Sequence, residues 1–106
     1  MTSSDWPTDV DRENASATVQ LMGDLDLATA PNLRDHLSHL YARGTRTFVL
    51  DSSNVSFIDS VGLSVIVSLY RRCREEDGEL VIKSPSRVME RTLEVAGLFD
   101  VLNIAN

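Results

Sequence analysis

The sequence predicts an α/β domain: a mainly parallel sheet of four to five strands with three or more helices chiefly on one face. Two observations carry this. Short strand-like segments alternate with segments of helical period, giving strand, helix, strand, helix, strand, helix. Proline or cap residues open the helical segments and glycine follows them, which fixes where each begins and ends. Right-handed crossovers between successive strands then lay the later strands parallel, with the helices stacked on one side.

The elements follow in order. Ala17–Met22 alternates as a strand, and Gly23-Asp-Leu-Asp26 reads as a polar loop before a helix. Thr29 is placed to cap that helix, Pro31 sits in its first turn, and Leu33, Leu37, Leu40 and Tyr41 share one face. Gly44 stands where a left-handed residue ends it, so the first helix spans Ala30 to Arg43. Thr47–Leu50 is apolar on consecutive positions, as expected of a central strand covered on both faces or flanked by parallel neighbours.

A second helix opens at Ser60, carries Leu63, Ile66, Val67, Tyr70 and Cys73 inward, and ends near Asp77-Gly78. Glu79–Lys83 is a further strand. Ser84-Pro85 repeats the cap-plus-proline start for a third helix, lined inward by Val88, Met89, Thr92, Leu93 and Ala96 and ended by Gly97. Leu98, Phe99, Val101, Leu102 and Ile104 are expected to return to the sheet.

Residues 1–16 read as an acidic N-terminal segment ahead of a domain over 17–106. Trp6 to Val10 is a candidate edge strand antiparallel to Ala17–Met22, and because Pro7 removes a ladder donor, a short or irregular edge is expected as readily as a full strand. The tail before Trp6 is expected to be mobile.

Composition narrows the function classes. With 106 residues there is room for one core, and 42% apolar with 25% charged residues fits a folded, water-soluble module. No apolar run reaches the roughly 20 residues that span a bilayer, and the N-terminus lacks the basic and apolar regions of a signal peptide, so a cytoplasmic protein without membrane insertion is expected. The lone Cys73 excludes an internal disulfide and reads as a packed thiol.

The net charge of −6 is concentrated: residues 1–30 hold six carboxylates against Arg12 alone. The single basic cluster, Arg71-Arg-Cys-Arg74, runs directly into Glu75-Glu-Asp77, which argues against a nucleic-acid partner.

The chemistry of interest lies between Asp51 and Leu63, where strand gives way to helix at Ser60. A helix entrance offers unpaired N–H groups and partial positive charge, and so tolerates a phosphate. Read alone, Ser60 is a plain N-cap hydroxyl, Asp51 and Asp59 are turn carboxylates, and Asp24 and Asp26 form a solvated corner. A Ser60 triad with His36 or His39 lacks the G-x-S-x-G elbow, and those two histidines, three residues apart, lack further ligands at metal-site spacing. No cofactor or metal is expected, and no enzymatic activity.

Three motifs resemble those of the anti-sigma-factor antagonists built on the STAS domain. Gly23-Asp-Leu-Asp-Leu-Ala-Thr-Ala30 is similar to that family's G-E-L-D-x-x-T-A segment, Phe57-Ile-Asp-Ser-Val-Gly-Leu63 to F-[MI]-D-S-[ST]-G-L, and Ala96-Gly-Leu-Phe99 to S-G-L-F. The match covers about Ala17 to Ile104, in the right order and spacing. The resemblance implies a small STAS-like fold whose unphosphorylated form binds an anti-sigma factor with a histidine-kinase-like ATPase fold, displacing the sigma factor. It further implies that this partner phosphorylates Ser60 and that a serine phosphatase resets it.

By the same resemblance the partner-binding residues are Asp24, Asp26, Asp59, Ser60, Val61, Gly62 and Leu63. Two departures stand out. Asp24 replaces the usual Glu, keeping charge on a shorter stem, and Val61 replaces a small residue with a stiff β-branched one beside the phosphoacceptor. Phosphorylation would then gate docking by charge, with the helix entrance accommodating the phosphate and no global rearrangement.

Two further readings compete. A non-switching STAS subunit of a transporter or stress-sensing assembly would share the fold. A phospho-aspartate receiver would use Asp51 and Lys83 at strand ends, but receivers alternate five strands with five helices.

Overall fold

Eight elements appear in a computed structural model that describes residues 6–106. They are β1 (Thr8–Asp11), β2 (Ser16–Leu25), α1 (Ala30–Ala42), β3 (Thr47–Ile58), α2 (Ser60–Glu75), β4 (Glu79–Lys83), α3 (Arg87–Val95) and β5 (Asn103–Ala105). The strands lie in that order across one five-stranded sheet, β1 antiparallel to β2 and each later pair parallel. This is the predicted mainly parallel sheet with three helices. A receiver's doubly wound order, which places the second strand outside the first, is not this one.

The pleat sorts the sheet into two faces. Phe48 and Leu50 of β3 stand beside Ala17 and Val19 of β2 and Leu80 and Ile82 of β4, and all six are buried. Their neighbours one residue out of step, Thr18, Val49 and Val81, are only half-buried. With side chains alternating along each strand, one face carries the core while the other remains partly open. Of the two alternatives for Thr47–Leu50, coverage on both faces or parallel neighbours on both sides, the second holds: β3 is central and parallel to β2 and β4.

Helix side chains complete that single core: Leu33, Leu37 and Leu40 from α1, Ile66, Leu69 and Cys73 from α2, Met89 and Leu93 from α3. Each large side chain so buried contributes about 1.5–3 kcal/mol relative to exposure. Burial raises the Cys73 thiol pKa, as befits a packed rather than reactive sulfur.

The inward stripe of α2 differs from the expected one. Gly62, Val65, Ile66, Leu69 and Cys73 are buried, whereas Leu63 and Tyr70 lie half-buried at its margin. The third helix also begins later than expected. Ser86, not Ser84, caps it by accepting from the Met89 N–H at 3.2 Å, and Ser84 turns the chain at φ 49° while its N–H donates to the Ala105 carbonyl. Met89 and Leu93 are buried as expected, whereas Val88 and Ala96, expected inward, are exposed.

Strands β2 and β3 both run past their expected ends. The sequence suggests loops at Gly23–Asp26 and from Asp51 onward, because polar residues crowd there; the strands instead continue to Leu25 and Ile58, paired in parallel. Leu21, Leu25, Val55 and Ile58 keep one side of this extension buried. Register shifts at Gln20/Met22 and Gly23/Asp24 bend it, with Gly23 at φ 74° supplying the conformation that L side chains avoid.

At the other edge β1 starts just after Pro7, whose carbonyl accepts from the Gln20 N–H at 2.8 Å. Trp6 is buried, and its indole N–H donates to Asn32 Oδ1 at 2.7 Å. The tail before Trp6, expected to be mobile, lies outside the described residues.

Candidate docking site

The long β2 and β3 deliver the sequence-selected residues to one tip of the sheet. Asp24 pairs in register with Phe57 and Leu25 with Ile58, after which the Asp59 N–H donates to the Leu25 carbonyl at 3.1 Å. Helix α2 starts from that junction. Asp24, Asp26, Asp59, Ser60, Val61, Gly62 and Leu63 are thereby brought into one neighbourhood.

Each carboxylate has a local structural tie. Asp24 Oδ1 accepts from the Ser56 hydroxyl at 3.0 Å. Asp26 Oδ1 accepts from the backbone N–H groups of Ala28 at 3.0 Å and Thr29 at 3.2 Å, so it turns the chain into α1. Thr29 is not a side-chain cap as expected. Its hydroxyl donates to the Asp24 carbonyl at 2.7 Å and accepts from the Asp26 N–H at 3.0 Å, knotting the loop instead.

The entrance of α2 is capped by Asp59. Its Oδ1 accepts from the Val61 and Gly62 N–H groups, both at 2.9 Å, while its carbonyl accepts from Leu63 at 2.9 Å. Three donors of the first turn are thus already committed. The Val61 and Gly62 N–H groups are taken by Asp59 in the unmodified chain, which leaves the Ser60 N–H and the helix dipole as what the entrance offers an anion.

With Asp59 as cap, Ser60 is released from structural duty. It is exposed, and its hydroxyl has no hydrogen-bond partner among the described residues. Gly62 faces inward: a Cβ there would stand 2.8 Å from the Leu25 carbonyl carbon, so a glycine is what lets α2 seat against β2. Val61 is half-buried and packs on the core, which absorbs part of the bulk expected beside Ser60.

The sequence reading missed the apolar and basic parts of this tip. Leu27 is 71% exposed and Phe57 48% exposed, on either side of the aspartates. A groove of about 370 Å³ runs from Ser60 and Leu63 along α3, where Arg91, Thr92 and the 82%-exposed Val95 form its far wall. An apolar residue inside the acidic Asp24–Asp26 turn was a readable signal for Leu27. Arg91 and Val95 had none, because only the tertiary fold, which packs α3 on β3, brings them to the groove that Ser60 and Leu63 also line.

An exposed hydroxyl amid carboxylates, rimmed by uncovered apolar side chains, makes this tip a solvent-facing patch of mixed acidic and apolar character. A small α/β domain with a mainly parallel sheet and such a tip is the class that the fold defines. Comparison with known proteins narrows the class. A family model described as "Mlab, STAS domain" matches residues 8–103. An anti-sigma-B factor antagonist of Staphylococcus aureus is 34% identical over 86 residues, covering 81% of this chain and 80% of that protein.

Among solved structures, unphosphorylated SpoIIAA, an anti-sigma factor antagonist, superposes with a TM-score of 0.80 at 22% identity, covering 95% of this chain and 88% of its own. The phosphorylated form of SpoIIAA, a Bacillus cell fate determinant, gives a TM-score of 0.74 at 22% identity, covering 95% and 91%. The chain belongs to the STAS domain proteins of the anti-sigma-factor antagonist family.

Proposed function

We propose that this chain is an anti-sigma-factor antagonist whose unphosphorylated form binds an anti-sigma factor and so frees the sigma factor, with phosphorylation of Ser60 ending the binding. It acts in the cytoplasm as a binding module, not an enzyme. The partner is an ATPase-fold protein with serine-kinase activity, and a serine phosphatase restores the hydroxyl. The observation that carries this reading is the exposed, unpartnered Ser60 hydroxyl beside an aspartate that has already taken the cap.

Chemically the switch is a phosphoryl transfer. The γ-phosphorus of ATP bonds to Ser60 Oγ as its bond to the β–γ bridging oxygen breaks; ADP leaves and the hydroxyl proton goes to solvent. The product carries about −1.5 to −2 charge. Next to Asp59, with Asp26 and Asp24 close by, that dianion opposes any partner surface shaped for a neutral hydroxyl. Leu27, Phe57, Val61 and Leu63 supply apolar contact, and Gly62 holds α2 at the height that contact needs.

The test is binding to the anti-sigma factor by calorimetry, together with phosphate transfer from ATP. Ser60→Ala should bind as the unmodified protein does and remain unlabelled, whereas Ser60→Asp should bind at least tenfold more weakly. Equal binding by both variants, with no labelling of the wild type, would overturn the switch and favour a non-switching assembly subunit.

A further inference from the structure

If Ser60 is the phosphoacceptor proposed above, the modified side chain would find little backbone help at the helix entrance, where two of the first N–H groups are already taken. Asp59 has occupied the Val61, Gly62 and Leu63 N–H groups, and its own carboxylate lies beside the site. Across the α2–α3 groove stands Arg91, exposed and without a hydrogen-bond or ion-pair partner among the described residues. We propose that Arg91 is the intramolecular receptor of phosphorylated Ser60, pairing its guanidinium with the phosphoryl oxygens across this groove.

The geometry suits such a pair. Both residues line the same groove of about 370 Å³, which has room for a phosphoryl group between the two helices. A guanidinium binds two phosphate oxygens at once through its planar fork, a match that a lysine ammonium makes only as a point charge. The neighbouring Thr92 hydroxyl adds a further donor on the same wall. Phosphorylation would then act twice: it adds charge at the docking tip, and it spans the groove over Leu63 and Val95, removing apolar surface that a partner would use.

The experiment installs phosphoserine at position 60 during translation, in the wild-type chain and in Arg91→Gln and Arg91→Lys variants, and follows the phosphorus NMR shift against pH. The second phosphate pKa should be lower in wild type than in Arg91→Gln by about half a unit, a modest value because the pair is solvent-exposed. Arg91→Lys should fall between, and the difference should shrink as salt is raised. Identical titrations in all three proteins would overturn the pairing. No kinase takes part, so the result is separate from the switch itself, whose failure would appear as absent labelling by the ATPase-fold partner.

Discussion

Gly62 approaches Leu25 so closely that a Cβ on the glycine would stand 2.8 Å from the Leu25 carbonyl carbon and 2.9 Å from the Leu25 Cβ. Backbone cannot retreat there, because the Leu25 carbonyl also accepts the Asp59 N–H at 3.1 Å. Two effects oppose each other in Gly62→Ala. Helix propensity favours alanine by about 1 kcal/mol, while overpacking costs about 1–3 kcal/mol. We expect the clash to win, with a lower urea midpoint at unchanged m-value. An equal or raised midpoint would show that α2 does not seat on β2 at this glycine.

Capping gives a second, paired prediction. Asp59→Ala removes the acceptor of two N–H groups and should cost about 0.5–2 kcal/mol in denaturant unfolding. Ser60→Ala should change stability by no more than about 0.5 kcal/mol, because that hydroxyl caps nothing. The reverse ranking would return the cap to Ser60. The pair also matters for the switch, since it separates the residue that builds the helix entrance from the residue that is modified there.

The order of elements was legible because hydrophobic period and punctuating glycines are local signals. Ala30, Ser60 and the bounds Glu79–Lys83 were readable to the residue for this reason. Strand length was not: Asp51 to Phe57 looks like loop chemistry, and only the burial of Val55 and Ile58 against the rest of the sheet makes it strand. Nor could the cap be assigned between Asp59 and Ser60, since both residue types cap helices well. The docking tip was half legible; its aspartates and serine lie in motifs, whereas Arg91 and Val95 join it through packing alone.

Thr29 tests the loop that carries the acidic rim. Its hydroxyl both donates to the Asp24 carbonyl and accepts the Asp26 N–H, at 2.7 and 3.0 Å. Thr29→Val keeps the shape and deletes both bonds, which should cost about 1–3 kcal/mol where the stranded groups stay dry, and less where water reaches them. Hydrogen exchange at the Asp26 amide should quicken, and Thr29→Ser should restore it. Unchanged exchange in Thr29→Val would mean that this knot does not hold the loop.

His36 sets a pH dependence. Thr8 Oγ1 donates to the Trp6 carbonyl at 2.8 Å and lies 2.7 Å from His36 Nε2, and desolvation first, with His39 second, holds the His36 pKa below its ordinary value. A depressed histidine pKa means the unfolded chain binds the proton more readily. Stability is then full above about pH 6.5 and falls as pH drops from there through the folded-state pKa. Unfolding measured from pH 8 to pH 5 should show less loss in His36→Gln than in wild type over that window. Parallel curves would rule the histidine out as the source.

Leu27 offers the sharpest separation of docking from folding. At 71% exposed it adds little to the core, so Leu27→Ser should leave the unfolding free energy within about 0.5 kcal/mol of wild type. Yet a large apolar side chain beside Asp26, uncovered in the free domain, is the kind of residue that becomes an anchor when a partner desolvates it. Under the proposed function, Leu27→Ser should weaken binding to the anti-sigma factor at least tenfold, which is about 1.4 kcal/mol. A rim charge changes association rate and salt dependence, whereas a lost apolar anchor should appear as faster dissociation. Surface plasmon resonance with unchanged on-rate and raised off-rate would place Leu27 inside the interface, and identical off-rates would place the partner elsewhere on the domain.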